Sequence, residues 1–411
     1  MRESEHAARG SRARTAVVID YDPFSAEALD DPYPIYQRLR EESPVHHLEK
    51  YDAYALSRFE DIWQVSSDAE HYTVTRGTSA PQLLSKVMPV FPNLNHLDPP
   101  GHTELRKQLW RFFTPRAVLA YERQLRDFLV ERLEALLPGG HCDVLGDLAF
   151  PVSARVACIA VGFPEEDAEL LVDLVQRIFR RRDDVEGMPP DAMAAFQEAE
   201  TYLRELTKSR LARGVEADNP VNALLAVPEI DREAPSADTR ASHLMLMLTG
   251  STETFPKTFA SALYRLWQHP EQRTQLVADP ELIPGAFAEA LRYDMPTQFL
   301  CRTLLCDVEM RGVKMREGCP LLLLYPSGNR DPREFDEPDH FDIHRRPERI
   351  LSFGHGLHRC LGAHFAKLEG RVLLEEMLAR VPDYTVDEAH IHRERTEFVQ
   401  GFRHLPIDFN L

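Results

Sequence analysis

Apolar residues recur at helical spacing along most of the chain. The pattern predicts helices at 32–42, 103–112, 116–137 and 360–380, two or three charged helices within 163–213, and a longer, more apolar helix at 238–268. From residue 296 onward, short apolar runs alternate with glycine and proline, which indicates strands and turns. The sequence therefore predicts a mainly α fold with a small β portion packed beside it.

Composition narrows the class of protein. Of the 411 residues, 43% are hydrophobic, enough for a large core, and we expect no run of about 18 apolar residues that would cross a membrane. The net charge of -18 disfavours nucleic-acid binding. The N-terminus lacks the apolar stretch of a secretory signal, and the six scattered cysteines form no CxxC motif. We expect a cytoplasmic protein with a flexible tail at 1–16, a single domain at 17–411, and no membrane or nucleic-acid partner.

The stretch SFGHGLHRCLGAHFAKLEG, residues 352–370, places glycines, histidines and one cysteine ahead of an apolar helical pattern. The pattern predicts that Cys360 lies at or near the first turn of that helix, where free N–H groups and the helix dipole favour a thiolate. The glycines at 354, 356 and 362 let the backbone approach a flat, bulky group. An axial iron ligand requires such a soft, hydrogen-bonded thiolate.

Two other interpretations fit the same residues. An isolated cysteine is commonly a small, buried apolar side chain. Alternatively, His355, His358, Cys360 and His364 are ligand types of a zinc site, although their spacing matches no common tetrahedral pattern. The residues taken alone leave all three interpretations open.

FGHGLHRCLG resembles the haem-binding loop of the cytochrome P450 family, and the likeness continues in other segments between residues 22 and 409. The matching positions are Phe353, Gly354, Gly356, His358, Cys360 and Gly362. The resemblance implies the cytochrome P450 fold and haem b (iron protoporphyrin IX), with Cys360 as the proximal ligand of the iron. It also implies that Phe353 shields the sulfur from water and that Gly354 and Gly362 let the loop approach the haem.

The segment EALR at 289–292 resembles the ExxR motif of the same family. Because Glu289 and Arg292 are three residues apart, they share one helix face. The resemblance implies a buried structural clamp near the proximal side of the haem. The alternative is a surface ion pair, which would contribute little.

The resemblance also implies a set of partners for the haem propionates. In HLDPPGHTELRKQLWRFFTP, residues 96–115, His102 and Arg106 lie on one helix face and would form charge-assisted hydrogen bonds. Arg302, at the start of a predicted strand, and His358 complete the set. The alternative for His102 and Arg106 is solvated polar residues on an amphipathic helix.

The long apolar helix carries a segment that resembles the oxygen-activating part of the family. The aligned residues are Gly250, Ser251, Thr252, Glu253 and Thr254. The resemblance implies that Thr254 is the alcohol of an acid–alcohol pair that assists oxygen activation and that Glu253 relays protons from solvent. A different register would give Thr252 the alcohol role, and a polar patch that caps or bends the helix is a further alternative.

Two residues depart from the family pattern in this segment. Ser251 replaces the usual glycine and adds a hydroxyl. Pro256 lies inside the predicted helix, where proline normally costs about 3 kcal/mol. Because proline has no N–H, the carbonyl of Thr252 loses its helical partner, and we expect the helix to open there. The freed carbonyl could hold water or dioxygen.

The segments that line the substrate pocket in the family are mostly apolar in this chain. They contain Leu83, Leu84, Val87, Met88, Val90, Phe91, Met247, Leu248, Phe299, Leu300 and Phe398, with Gln298 as a polar exception. This composition indicates a mostly apolar small organic substrate with one hydrogen-bonding group.

We expect no attached reductase, and the resemblance then implies that electrons from NAD(P)H arrive through a separate ferredoxin-type donor and its reductase. A basic patch that suits an acidic donor could form from Arg106, Lys107, Arg111, Arg359 and Lys367. Ordinary surface charge is the alternative.

The implied function is a haem-thiolate monooxygenase that uses O2 and electrons to oxidise, by hydroxylation or a related reaction, a mostly apolar small molecule of secondary metabolism. Oxidative C–C or C–O coupling on the same haem is an alternative. A non-catalytic haem-fold protein that recruits enzymes or senses a gas is another, but we would expect it to lack the cysteine or the acid–alcohol pair.

Overall fold

The computed structural model describes residues 19–182, 185, 187–230 and 233–410, so the tail expected at 1–16 lies outside the described residues. The helices are α1 Ala26–Asp30, α2 Tyr33–Glu42, α3 Phe59–Ser67, α4 Ala80–Leu83, α5 Gly101–Trp110, α6 Pro115–Leu119, α7 Glu122–Leu136, α8 Phe150–Val156, α9 Ala168–Ile178, α10 Pro190–Arg213, α11 Pro220–Ala226, α12 Ala237–Thr252, α13 Thr254–Gln268, α14 Pro270–Ala278, α15 Ile283–Tyr293, α16 Tyr325–Gly328 and α17 Ala363–Arg380.

The strands are short and form several small sheets. They are β1 Val45–Leu48, β2 Ala53–Leu56, β3 Tyr72–Thr73, β4 His141–Asp143, β5 Leu300–Leu304, β6 Val308–Met310, β7 Val313–Met315, β8 Pro320–Leu323, β9 Tyr384–Val386, β10 His392–Arg395, β11 Gln400–His404 and β12 Pro406–Phe409. The largest sheet has the strand order β1-β2-β8-β5-β3, and β2 pairs with β8 in parallel, with Tyr54 opposite Leu321. The order β4-β12-β9 forms a second sheet, while β6–β7 and β10–β11 are hairpins.

The prediction of a mainly α fold with a small β portion is confirmed. The helices predicted at 32–42 and 103–112 are α2 and α5. The helix predicted at 116–137 is divided into α6 and α7, and Tyr121, at the junction, packs its ring against Phe365 of α17. The helix predicted at 238–268 is also divided, at Glu253, as the position of Pro256 led us to expect.

The main hydrophobic core lies among the helices, and two smaller clusters flank the five-stranded sheet. Successive residues of β8 serve different clusters: Leu322 belongs to one, and Leu321 and Leu323 belong to the other. This alternation follows from the two-residue period of a strand. Helix α13 crosses the main core and is buried along most of its length.

One helical run, Val144–Val161, is long and apolar enough to span a membrane by length and composition, with a mean hydropathy of 1.7. It consists of α8 flanked by the π-helical turns Val144–Ala149 and Ala157–Val161. Asp147 and Arg155 interrupt this stretch, so it is not an uninterrupted apolar run of the kind that was expected to be absent. Because 72% of the run is buried inside the protein, it serves here as a core helix.

Candidate active site

A cavity lies between the α12–α13 junction and the loop that carries Cys360. Its lining contains Gly250 and Ser251 of α12, Thr254 of α13 and Cys360. Apolar side chains that complete the lining include Leu94, Phe113, Val161, Leu246, Met247, Phe287, Leu291 and Leu300. The fold therefore brings two segments that are far apart in the sequence to one mostly apolar space.

Glycines allow the cysteine loop to take its shape. Gly354 and Gly356 have φ angles of 64° and 70°, in the left-handed region that favours glycine. A Cβ on Gly356 would lie 2.5 Å from the carbonyl oxygen of Ser66 at the end of α3, so only glycine permits this approach. The loop is closed by the N–H of Cys360, which donates to the carbonyl of Phe353 at 2.7 Å.

Cys360 lies three residues before α17, outside the helix rather than in its first turn, and its thiol lines the cavity. Burial raises the pKa of this thiol, against opposing effects from the N–H of Gly362 and from the Arg106 and Arg359 guanidinium groups. The N–H of Gly362 favours the thiolate, in the direction that the sequence predicts, but it does not outweigh burial. A metal cation at the sulfur would remove the proton outright.

The zinc interpretation of the four residues around Cys360 gains no support. Among the described residues, no group of three or more His, Cys, Asp or Glu side chains is arranged to hold a metal ion. His355 instead stacks on Trp63 of α3, with ring centroids 3.5 Å apart. This contact fixes the cysteine loop to the end of α3.

Two of the expected propionate partners are buried donors without anionic partners. His102 is 1% exposed, and neither ring nitrogen has a hydrogen-bond partner among the described residues. Arg302 is 5% exposed, lines the cavity, and donates only to the carbonyl of the adjacent Cys301, at 2.9 Å; no described carboxylate pairs with it. Buried donors of this kind normally have partners, so an acceptor-rich ligand is expected beside them.

The other two expected partners lie close by. The ring of His358 is 4.2 Å from that of His102, and burial lowers the pKa of His358 to about 2 and that of His102 to about 4. Both imidazoles are therefore neutral at physiological pH and can each donate one N–H. Arg106 lines the same cavity but donates to the carbonyl of Arg359, which ties α5 to the cysteine loop.

The part of the lining that α12 and α13 contribute begins with Gly250, where an added Cβ would meet no described atom within 4 Å. A side chain at this position would therefore extend into the cavity. Thr254 lines the cavity, whereas Thr252 is buried away from it and donates its hydroxyl to the carbonyl of Leu248 at 2.7 Å. The hydroxyl of Ser251, in the wall, donates to the carbonyl of Met247 at 2.8 Å. Of the two registers considered, the geometry favours the one that uses Thr254.

Glu253 occupies the break between α12 and α13 and is 1% exposed. Its carboxylate points away from the cavity, toward Lys257. The Nζ atom of Lys257 lies 3.4 Å from Oε1 of Glu253 and 3.0 Å from Oε2 of Glu394. Oε2 of Glu253 has no partner among the described residues. Burial raises the pKa of Glu253 to about 7, although Lys257 opposes the rise. Sequence reasoning missed Lys257 and Glu394; only the four-residue spacing of Glu253 and Lys257 gave a signal.

Glu289 and Arg292 form a buried pair, as expected of the ExxR segment. Both side chains are 0% exposed, and two N–H groups of Arg292 donate to the two carboxylate oxygens, each at 2.7 Å. Arg292 also donates to the carbonyl of Asn329, whose amide in turn bonds Ser352 and Leu351 ahead of the cysteine loop. The pair therefore supports the segment that leads to Cys360.

The expected substrate-pocket residues are only partly in the cavity wall. Met247 and Leu300 line it, but Leu248 and Phe299 are fully packed in hydrophobic clusters. Gln298, the expected polar exception, instead bonds the carbonyl of Thr396 and the hydroxyl of Tyr36. The hydrogen-bonding groups of the wall are shorter side chains, including Thr78, Asn95, Ser251, Thr254 and Thr297.

Comparison with known proteins agrees with this geometry. The family model described as Cytochrome P450 matches residues 274–381. The putative cytochrome P450 123 of Mycobacterium tuberculosis is 34% identical over 388 residues, covering 94% of this chain and 96% of the relative. This chain belongs to the cytochrome P450 family. Cytochrome P450 130 of the same organism is 35% identical over 383 residues, covering 90% of this chain and 93% of its own length.

Solved cytochrome P450 structures share the fold as well. A mutant of P450 EryK, solved in complex with erythromycin B, superposes with a TM-score of 0.83 at 27% identity, covering 92% of this chain and 96% of that one. The protein is thus a cytochrome P450 monooxygenase, an enzyme class that carries haem and receives electrons from redox partners. The residues present fit that group: a thiol faces the cavity, buried donors lack acceptors, and Gly250 leaves space.

Proposed function

We propose that this cytochrome P450 is a haem b-thiolate monooxygenase that hydroxylates, or oxidises in a related way, a mostly apolar small organic molecule. The observation that carries the proposal is that Cys360 and Thr254 line the same mostly apolar cavity. When bound, the haem would supply the activation of dioxygen, and a thiolate ligand favours O–O cleavage. The substrate would lie against the α12–α13 wall.

The residues around the cavity would hold the haem. Cys360 would ligate the iron, and Phe353, 8% exposed, would exclude water from the sulfur. Gly354 and Gly362 keep bulky side chains out of the cysteine loop, and Gly250 adds no side chain to the cavity, which would leave room for the haem.

The propionates would be bound by His102, Arg106, Arg302 and His358. His102 and Arg302 lack acceptors among the described residues, and this supports their assignment most directly. Arg106 and Arg302 supply the positive charge, since both histidines are neutral.

On the α12–α13 side of the cavity, Thr254 would donate a hydrogen bond at the site of oxygen activation. Glu253 would relay protons from solvent to that site. The pKa of about 7 lets Glu253 exist in both protonation states near neutral pH, which suits a proton relay. Ser251 and Thr252 would act indirectly, since their hydroxyls bond carbonyls of α12.

We propose that the electrons come from NAD(P)H through a ferredoxin-type donor and its reductase. Arg359 and Lys367 are exposed beside the cysteine loop, and Lys107 and Arg111 are exposed on and after α5. Trp110, 44% exposed, adds an aromatic anchor to this basic surface. An acidic donor would dock there close to Cys360.

The likeness to EryK, solved with erythromycin B, supports a substrate from secondary metabolism. The absence of charged groups from the α12–α13 wall supports an uncharged reacting part. We further propose a cytoplasmic location and a single domain over 17–411.

Cys360→Ser tests the central assignment. The purified wild-type protein, reconstituted with haem, should give the strongly red-shifted Soret band of a ferrous–CO thiolate complex, and the variant should lose it. Cys158→Ser, which changes a buried cysteine in another part of the helical core, is the matched control and should keep the band. A retained band in Cys360→Ser would remove Cys360 as the ligand.

A further inference from the structure

Lys257 is a lysine buried in the protein interior, 1% exposed, between two carboxylates from different elements. Burial alone would lower its pKa, but Glu253 and Glu394 outweigh this effect and the pKa is raised. The ammonium is therefore retained inside the core. Burying a charge in this way is costly unless it is paired, so the arrangement of these three groups is specific to the site.

The hairpin β10–β11 is built to fit around this lysine. Glu394 on β10 lies opposite Gly401 on β11 in the strand register. Gly401 has φ 126°, and an added Cβ would lie 3.1 Å from Cβ of Lys257. The glycine thus lets β11 pass directly over the lysine while Glu394 reaches its Nζ.

The three side chains join the interior to the surface. Glu394 is 11% exposed and lines a surface cleft together with residues such as Arg181, Glu388 and Arg393. At the other end, Oε2 of Glu253 has no hydrogen-bond partner in the described part of the chain, and Glu253 immediately precedes Thr254 in the cavity wall. The distances along the path are 3.0 Å from Glu394 to Lys257 and 3.4 Å from Lys257 to Glu253.

We propose that Glu394 and Lys257 form the proton path to Glu253, and that protons enter it from the cleft at hairpin β10–β11 rather than through the substrate cavity. The proposal rests on the function proposed above for Glu253. Glu394 takes a proton from water in the cleft and passes it to Nζ of Lys257 as Lys257 gives a proton to Glu253. One proton enters and one is delivered, and Lys257 is again an ammonium at the end.

Other charged groups facing Glu253 do not offer an equal path. Among the described residues, the groups that act on its carboxylate are Lys257, Glu394 and Arg181. Nε and Nη2 of Arg181 donate to the two carboxylate oxygens of Glu397, each at 2.9 Å, so this guanidinium is already engaged by another carboxylate. On the side of α8, the neighbour of Lys257 is the apolar ring of Phe150, 5.4 Å from Nζ.

Glu394→Gln tests the path during turnover. It should slow product formation about tenfold and raise the solvent isotope effect. Glu253→Gln should change both quantities in the same direction, with an about hundredfold loss of rate. Glu388→Gln changes a carboxylate in the same cleft and is the matched control, with wild-type rates expected. Glu394→Asp should recover most of the rate. If Glu253→Gln is slow and Glu394→Gln is not, the path is overturned but the role of Glu253 stands; if neither is slow, the role of Glu253 also fails.

Two further measurements separate proton transfer from a structural role. Small exogenous acids such as formate should restore turnover in Glu394→Ala, whose missing group faces the cleft, but not in Glu253→Ala; no rescue of Glu394→Ala would contradict the path. Independently of turnover, infrared spectra should show the carboxyl band of Glu253 titrating at lower pH in Glu394→Gln and at higher pH in Lys257→Met. An unmoved band in both variants would show that the three groups do not interact.

Discussion

The molecule contains two buried carboxylate–cation pairs that look alike in sequence but differ in how well they are satisfied. In Glu289 and Arg292 both carboxylate oxygens accept from the guanidinium, and Arg292 reaches further to backbone carbonyls. In Glu253 and Lys257 the contact is longer, 3.4 Å, and one carboxylate oxygen of Glu253 has no partner among the residues that the structure describes. Both pairs lie on helices at a spacing of three or four residues.

The difference teaches what each pair is suited to do. A saturated pair fixes structure, because any change of charge or geometry breaks several hydrogen bonds. In a pair with missing hydrogen bonds, the buried carboxylate is poorly stabilised and can change its protonation state. The raised pKa of Glu253 indicates this. The Glu289–Arg292 pair, the clamp, supports the segment that leads to Cys360. The Glu253–Lys257 pair lies next to Thr254, which lines the cavity.

The largest effect is expected from breaking the clamp. Arg292→Ala should lower the free energy of unfolding by about 3–5 kcal/mol, because the buried carboxylate of Glu289 loses its main partner. Urea unfolding at fixed pH measures this. Arg38→Ala removes an exposed pair with Glu42 and should cost no more than about 0.5 kcal/mol. Equal losses in the two variants would erase the distinction between a clamp and a surface pair.

The free energy of unfolding should depend on pH through the titration of Glu253. Its pKa is raised from 4.5 to about 7 in the folded protein, so the folded state binds the proton more tightly than the unfolded state. The stabilisation is complete below pH 4.5 and is lost as pH rises to about 7, a difference on the order of 2–3 kcal/mol. Unfolding of wild type and Glu253→Gln should therefore differ in this window, with the variant gaining in relative stability as pH rises. Parallel pH curves would contradict the raised pKa.

Gly401→Ala should have a smaller effect, about 1–2 kcal/mol, because it strains the backbone and presses on Lys257. Gly214 also has a positive φ, 80°, but an added Cβ there meets no atom within 4 Å. Gly214→Ala is thus a control for backbone strain alone. Thermal unfolding compares the two, and only Gly401→Ala should also shift the titration of Glu253.

The smallest stability effects are expected at the two threonines beside Glu253. Thr252→Ala removes one hydrogen bond to the carbonyl of Leu248 and should cost about 1 kcal/mol without changing product yield per electron. Thr254→Ala should cost no more, yet divert reducing equivalents to hydrogen peroxide while haem binding survives. Measuring peroxide against NAD(P)H consumed distinguishes them. The reverse result would exchange the roles of the two residues.

Much of the fold could be predicted, because periodic apolar patterns and one specific loop motif are local features of the sequence. The break at Glu253 followed from the missing N–H of Pro256. The start of α17 did not follow from the apolar pattern, which continues smoothly through Leu361 into a helix that begins at Ala363. Helix ends depend on local backbone geometry that periodicity does not encode.

The site was predictable only where residues act through neighbours in sequence. Glu289 and Arg292 are three residues apart and pair as expected. The contact of Lys257 with Glu394 depends on how hairpin β10–β11 packs on α13, which no local pattern specifies. The N–H of Gly362 acts on the Cys360 thiol in the expected direction, whereas the opposing effect of burial depends on the whole fold and is not encoded locally.

The close approach of Gly356 to Ser66 has a consequence for the order of assembly. The two positions are far apart in the sequence. Closing so long a loop costs chain entropy before the contact between them can contribute any favourable free energy. We therefore expect the cysteine loop to acquire its final shape late in folding, after α3 and the region around α17 have come together. Capture of the porphyrin would then follow, rather than nucleate, collapse of the chain.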